Sequence, residues 1–188
     1  HEYAIELAQD HGLNTYRDCV KTLCQLLGCF ALDDRTGKMQ LKQFSEDVDL
    51  ALTYSDWYSC VPADYLTHYI GLSVTGLNGT YSAGTTDPNE VDSIMIIDDA
   101  PAWDLGSQES LQERTTELYT YLHGIDYTPS EIEMPSDPSF DCGDRLSLAL
   151  RGLEGQDPME TLITAYEWKF HNGMSNHSEG INPIEDRK

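Results

Sequence analysis

The segment running from Thr15-Tyr16-Arg17-Asp18 to Gly28 constrains this chain more than any other, because both of its ends are marked. Thr15 offers a side-chain oxygen as an N-cap, and Asp18, three residues on, completes a capping box. Val20, Leu23, Cys24 and Leu27 follow at the i, i+3, i+4, i+7 spacing of a buried helical stripe. Gly28 fits the position just past the helix, where a left-handed backbone is cheap only without a side chain. Phe30 and Leu32, then Met39 and Leu41, alternate with polar or small neighbours as strands do. Asp33-Asp34-Arg35-Thr36-Gly37 joins them with Gly late in the turn. The expected unit is a helix followed by a hairpin.

Beyond it the signals are weaker. A short helix is expected over 2–11, stopped by Gly12. Residues 45–63 are open between two readings, an apolar face of Tyr54, Trp57, Tyr58 and Val61 or an ordered loop. A strand is expected over 66–77, turned at Asn78-Gly79 and returning over 80–83, and another over 93–97. A second long helix is expected over 107–123, with Leu111, Leu118 and Leu122 on one face and Gly124 as its stop. Strands follow over 132–134, 145–151 and 162–170, with turns at Asp137-Pro138 and Cys142-Gly143-Asp144. Helices and runs of strands are segregated, which argues for an α+β fold. The expected architecture is a helix-plus-hairpin unit combined with antiparallel β-barrel-like or β-sheet elements and a second long helix. Its pieces are a lead-in over 1–13, the helix–hairpin over 14–63, a β-rich domain over 64–171 and a polar, flexible tail over 172–188. The structural markers are Thr15, Gly28, Gly37, Asp137, Pro138, Gly143 and Asp144.

Charge narrows the partners. The chain has 188 residues, 33 acidic against 11 basic, and a net charge of −22. Phosphate backbones and anionic membranes repel such a surface, so no direct nucleic-acid affinity is expected. No window approaches the ~18 consecutive apolar residues of a membrane span, so no membrane anchor is expected either. The chain opens on His1 rather than Met and reads as a piece of a longer protein. Its 11 tyrosines and few lysines suit a protein interface as well as a β-rich core margin.

Catalytic patterns are absent from the sequence. Paired carboxylates occur at Asp33-Asp34, Asp47-Asp49 and Asp98-Asp99, but acid–base work needs two that converge from separate elements, and Asp98 and Asp99 as strand neighbours point to opposite faces. Asp33 to Gly37 lacks the spacing of a calcium loop. The six histidines form no metal-ligand pair, and no phosphate loop or nucleophile elbow occurs. Cys142-Gly143-Asp144 is explained as a turn that starts a strand. Cys19, Cys24 and Cys29 are each five residues apart, about 500° on a helix, so Cys19 and Cys24 cannot share one metal face. They read as small hydrophobes in a reducing compartment. No catalytic residue, metal or cofactor is expected.

The order of these segments resembles a known family. Thr15-Tyr16-Arg17-Asp18-Cys19-Val20, Gly28-Cys29-Phe30-Ala31 and Arg35-Thr36-Gly37-Lys38-Met39 look like the helix and hairpin of tail hub proteins of tailed phages and prophages. Asp98-Asp99-Ala100-Pro101, where that family has an Asn pair, then Tyr127-Thr128-Pro129, Asp137-Pro138 and Cys142-Gly143-Asp144-Arg145-Leu146 follow in the family's order. The resemblance spans about residues 15–180. It implies a non-enzymatic component of a tail tip or baseplate hub in the virion tail, assembled in the bacterial host's cytoplasm. There it would form a homo-oligomer, usually a trimeric ring, with other tail proteins as partners, and join the tail tube to the distal spike or receptor-binding apparatus. Two other readings stay open. One is a hydrolase of polysaccharide or peptide built on two acidic residues; the other is a monomeric protein-binding module using its tyrosines.

Overall fold

The computed structural model describes residues 13–34, 36–76, 79–87, 93–98, 100–104, 106–135, 137, 139–153, 155–169 and 175–179. The short helix expected over 2–11 lies outside them, as do Pro138 and the turn residue Asn78. The fold is α+β, and the chain divides into two units. The first holds residues up to 43 and 69–124; the second holds 44–68 and 125 onward.

The first unit opens with α1 (Tyr16–Leu27), β1 (Phe30–Asp33) and β2 (Met39–Lys42). The chain passes to the second unit for β3 (Leu50–Leu52) and β4 (Ser59–Pro62). It returns for β5 (Gly71–Gly76), β6 (Gly79–Gly84), β7 (Ile94–Ile97), a 3-10 turn at Pro101–Asp104 and α2 (Gln108–His123). The second unit is completed by β8 (Ser130–Pro135), β9 (Arg145–Leu148), β10 (Met159–Leu162), β11 (Ala165–Lys169) and β12 (Ser175–Glu179).

Local chemistry sets α1. The Thr15 hydroxyl accepts from the Asp18 amide at 3.2 Å, and the Asp18 carboxylate accepts from the Thr15 amide at 2.8 Å. Gly28, at φ 61°, ends the helix. A Cβ there would lie 2.5 Å from Leu118 Cδ2, so a side chain would have to displace Leu118 as well as adopt a strained backbone. The buried face differs from the expected stripe. Thr22 and Cys24 are buried and Leu26 packs on the core, whereas Leu23 is 40% exposed. Thr22, Cys24 and Leu26 are two residues apart, so the residues that pack do not follow a single i, i+3, i+4, i+7 stripe.

In the first unit β5 pairs antiparallel with β6 and parallel with β7. Leu72 and Val74 of β5 meet Trp103 and, from α2, Leu111 and Leu118. Trp103 is fully buried, and its indole N–H donates to Thr115 Oγ at 2.9 Å. The register Gly76↔Gly79 leaves two residues between β5 and β6.

The second unit holds two open sheets, β10-β9-β3 and β11-β12-β8-β4, so the expected β elements take the sheet form and not that of a closed barrel. Ser130, Ile132 and Met134 of β8 point inward while Glu131, Glu133 and Pro135 point outward, as a half-buried strand requires. Leu52, Trp57, Ile132, Met134, Phe140, Leu146, Leu148 and Ile163 form its core.

Several boundaries differ from the sequence reading: the strand expected over 66–77 begins at Gly71, and the one expected over 145–151 ends at Leu148. Residues 44–63, expected with the helix–hairpin, group together with 64–68 and the C-terminal strands. The run expected as one strand over 162–170 is split, with β10 ending at Leu162 and β11 beginning at Ala165. Within the expected polar tail, Ser175–Glu179 is a strand paired on both sides, with β8 and β11. Backbone pairing on two edges is independent of side-chain hydrophobicity, which is why a polar composition hid it.

Candidate functional site: an apolar groove on the helix–hairpin

The groove lies between α1 and the β1–β2 hairpin, with a volume of about 590 Å³. Val20, Cys24, Cys29, Phe30 and Ala31 line it, with Tyr16 and Met39 at its mouth. Tyr16 is 93% exposed and Met39 is 59% exposed; Leu23 and Leu41 add further apolar surface nearby in sequence. Arg17 and Lys21 also line the groove. An apolar cleft with cations at its rim is thus presented by a chain whose net charge is −22. Gln25 also lines the groove, and its side-chain oxygen is buried with no hydrogen-bond partner. This lining suits an apolar side chain flanked by negative charge. The sequence placed Val20 and Cys24 on a buried helical stripe and Phe30 and Met39 on alternating strands; it did not mark Tyr16 as exposed.

The marker residues are spread over the fold. Thr15 and Gly28 close the two ends of α1, beside the groove. Gly37, at φ 77°, closes the hairpin turn. There the Asp34 carboxylate accepts from the Thr36 amide at 2.8 Å, the Thr36 hydroxyl at 2.7 Å and the Lys38 amide at 2.9 Å. The Thr36 hydroxyl above all, then the amides, holds this carboxyl below its ordinary range. Its oxygens are occupied by donors, which is the chemistry of a turn. Thr15 lowers Asp18 in the same way, and the Thr53 hydroxyl lowers Asp56.

Asp137, Gly143 and Asp144 lie in the second unit. Asp137 Oδ1 accepts from the Ser139 amide at 2.8 Å, an Asx turn. Asp141-Cys142-Gly143-Asp144 is a β-turn closed by Asp144 N–H to Asp141 O at 3.2 Å, and Gly143 supplies the positive φ of 92°. The Asp144 carboxylate accepts back from the Asp141 amide at 2.8 Å. This turn delivers the chain into β9.

Two arginines that the sequence did not single out hold residues 45–58. Arg145 is 4% exposed. It donates to Ser45 O at 3.1 Å, to Asp126 O at 2.9 Å and to Glu160 Oε2 at 2.9 Å. Arg151 donates to Tyr54 O at 3.0 Å and Trp57 O at 2.7 Å, and its guanidinium lies 4.4 Å from the Trp57 ring centroid. A third, Arg114, donates from α2 to Leu26 O at 2.7 Å, satisfying a carbonyl at the end of α1.

His68 pairs with Asp126 at 2.5 Å, beside the Thr67↔Tyr127 bridge. His123 Nδ1 donates to Tyr69 O at 2.9 Å. Among the described residues no group of three or more His, Cys, Asp or Glu is placed to hold a metal ion. No helix among them is long and apolar enough to cross a membrane.

Solved structures share this fold. The chain is similar to the 43 kDa tail protein of prophage MuSo2 from Shewanella oneidensis, with a TM-score of 0.51 and 12% identity over 95% of this chain and 54% of that one. It is also similar to the tail protein from Neisseria meningitidis MC58, with a TM-score of 0.52 and 7% identity over 87% of this chain and 53% of that one. The chain therefore spans about half the length of each. At these identities the likeness is one of fold. No family model and no curated protein matches the sequence.

Proposed function

We propose that this chain is a structural part of a phage or prophage tail, in the tip or baseplate hub, where it joins the tail tube to the distal spike or receptor-binding apparatus. The observation that carries this reading is the shared fold with tail proteins over 95% and 87% of its length. The order of the helix, the hairpin and the Gly143-Asp144 turn supports it independently.

On this reading the chain works by contact and not by catalysis. Its exposed apolar groups suit that role: Tyr16, Met39 and Leu41 on the helix–hairpin, and Tyr54, Tyr58, Val61 and Leu66 along one stretch of the second unit. The partners are further copies of the chain, in a trimeric ring, and other tail proteins. The assembled protein resides in the virion tail.

Immunogold labelling of intact virions with antibody to this chain tests the placement. Label at the distal end of the tail is expected. Virions that lack the protein, or carry it only in the head, overturn the reading. Light scattering tests the ring: three times the monomer mass is expected for the full-length protein, and a monomer at every concentration removes the trimer.

A further inference from the structure

Cys24 and Cys29 stand in an unusual relation for residues five apart. On a continuous helix that separation places Cα atoms about 8.6 Å apart by the rise and radius of the turn. That is beyond the roughly 7 Å limit for a disulfide without backbone movement. Cys19 and Cys24, both within α1, are so placed. The helix ends between Cys24 and Cys29. Gly28 turns left-handed, Cys29 N–H donates to Cys24 O at 3.0 Å, and Gly28 N–H donates to Gln25 O at 3.4 Å. These are the two bonds of a Schellman motif, which brings the side chains at either end of the longer bond together. In most helices that contact is between hydrophobes; here the two positions it joins are both cysteines. Both line the open groove, so a small reagent can reach them.

We propose that Cys24 and Cys29 form a redox modification site, a dithiol that a small-molecule disulfide such as oxidised glutathione converts to an intrachain bridge tying the end of α1 to β1. Cys29, the more exposed, loses its proton and attacks one sulfur of the glutathione disulfide, and the other half leaves as glutathione thiolate, which takes up a proton. Cys24 then loses its proton and attacks the Cys29 sulfur, breaking the mixed disulfide and releasing the second glutathione. Two electrons pass from the protein to the reagent, and no other reactant is needed. Burial, reinforced by the neighbouring Cys24, pushes the Cys29 thiol up to about 11. Bridging is therefore slow at neutral pH and quickens with alkalinity, as suits a structural link more than an exchange catalyst.

The test treats the folded chain with oxidised glutathione and blocks remaining thiols with N-ethylmaleimide. The protein is then unfolded and digested with trypsin. Cleavage after Lys21 separates Cys19 from the peptide 22–35, which holds both Cys24 and Cys29. That peptide is expected unlabelled and lighter by two hydrogens, with label on Cys19, Cys60 and Cys142. Preference for the 24–29 bridge over 19–24 is expected at about tenfold or more in the folded chain, falling toward unity in guanidinium, since only folded geometry separates the pairs. Cys29→Ser is expected to leave Cys24 labelled or glutathionylated. Maleimide on both Cys24 and Cys29 of the wild type after treatment, or equal yields of both bridges in the folded chain, overturns the proposal.

Discussion

Thr115 shows how much one buried hydroxyl can carry. It is fully buried, accepts the Trp103 indole N–H, and donates its own proton to Leu111 O at 2.8 Å. Valine has nearly the same shape but no oxygen. Thr115→Val should therefore leave the Trp103 N–H unpaired inside the core and cost about 1–3 kcal/mol in urea unfolding. A loss below about 0.5 kcal/mol would mean the indole finds another acceptor. Asp34 offers a pH-dependent counterpart. Its folded-state pKa is lowered from 3.8, first by the Thr36 hydroxyl, so its contribution is full above that value and is lost as pH falls through the lowered one. The thermal midpoint of Asp34→Ala should lie below that of the wild type at about pH 6, and the gap should close toward about pH 2. A gap that persists in acid would assign the effect to the side chain's shape.

Arg145 decides whether the stretch before β4 has a fixed course. Its guanidinium is buried and satisfies two carbonyls from distant parts of the chain, at separations of 100 and 19 residues. Arg145→Met keeps the bulk and removes every donor. Glu160 is half exposed and can be rehydrated; the two carbonyls are the larger loss. We expect about 2–4 kcal/mol in urea unfolding. Amide exchange over 45–58 should accelerate before that of β8, and uniform acceleration would show that the clasp is no more local than the rest of the core. The same clasp explains what the sequence could not disclose. The ends of α1 were legible because Thr15, Asp18 and Gly28 act within fourteen residues of one another. The hairpin was legible because Asp34 and Gly37 hold it alone. Residues 45–63 were not, because Arg145 and Arg151 hold them from nearly 100 residues away. β12 was hidden because its order comes from two neighbouring strands. The groove was half legible: the period of α1 gave its apolar residues, but which of them the hairpin would leave open depends on packing.

At the scale of the whole molecule, charge governs assembly. Three of the six arginines, Arg114, Arg145 and Arg151, have their donors directed at backbone carbonyls. Arg114 and Arg145 also pair with Glu117 and Glu160, yet only 11 cations in all face 33 carboxylates. Copies of such a chain repel one another, while the apolar groups at Tyr16, Met39, Tyr58 and Val61 favour association. The two forces differ in their response to salt. Screening shortens the reach of repulsion from about 30 Å at 0.01 M to about 10 Å at 0.1 M, whereas burial of apolar surface is not weakened. If the trimeric ring proposed above is held by those apolar groups, self-association should strengthen between about 0.01 and 0.3 M sodium chloride. Light scattering over a dilution series measures this directly, as a rise in average mass at fixed protein concentration. The opposite trend would identify a different interface, one in which Arg17 and Lys21 at the groove's rim meet carboxylates of the next copy. Tyr16→Ser then separates the cases: it should weaken association at every salt concentration if the apolar groove is buried in the ring, and leave the salt response intact if ion pairs hold it.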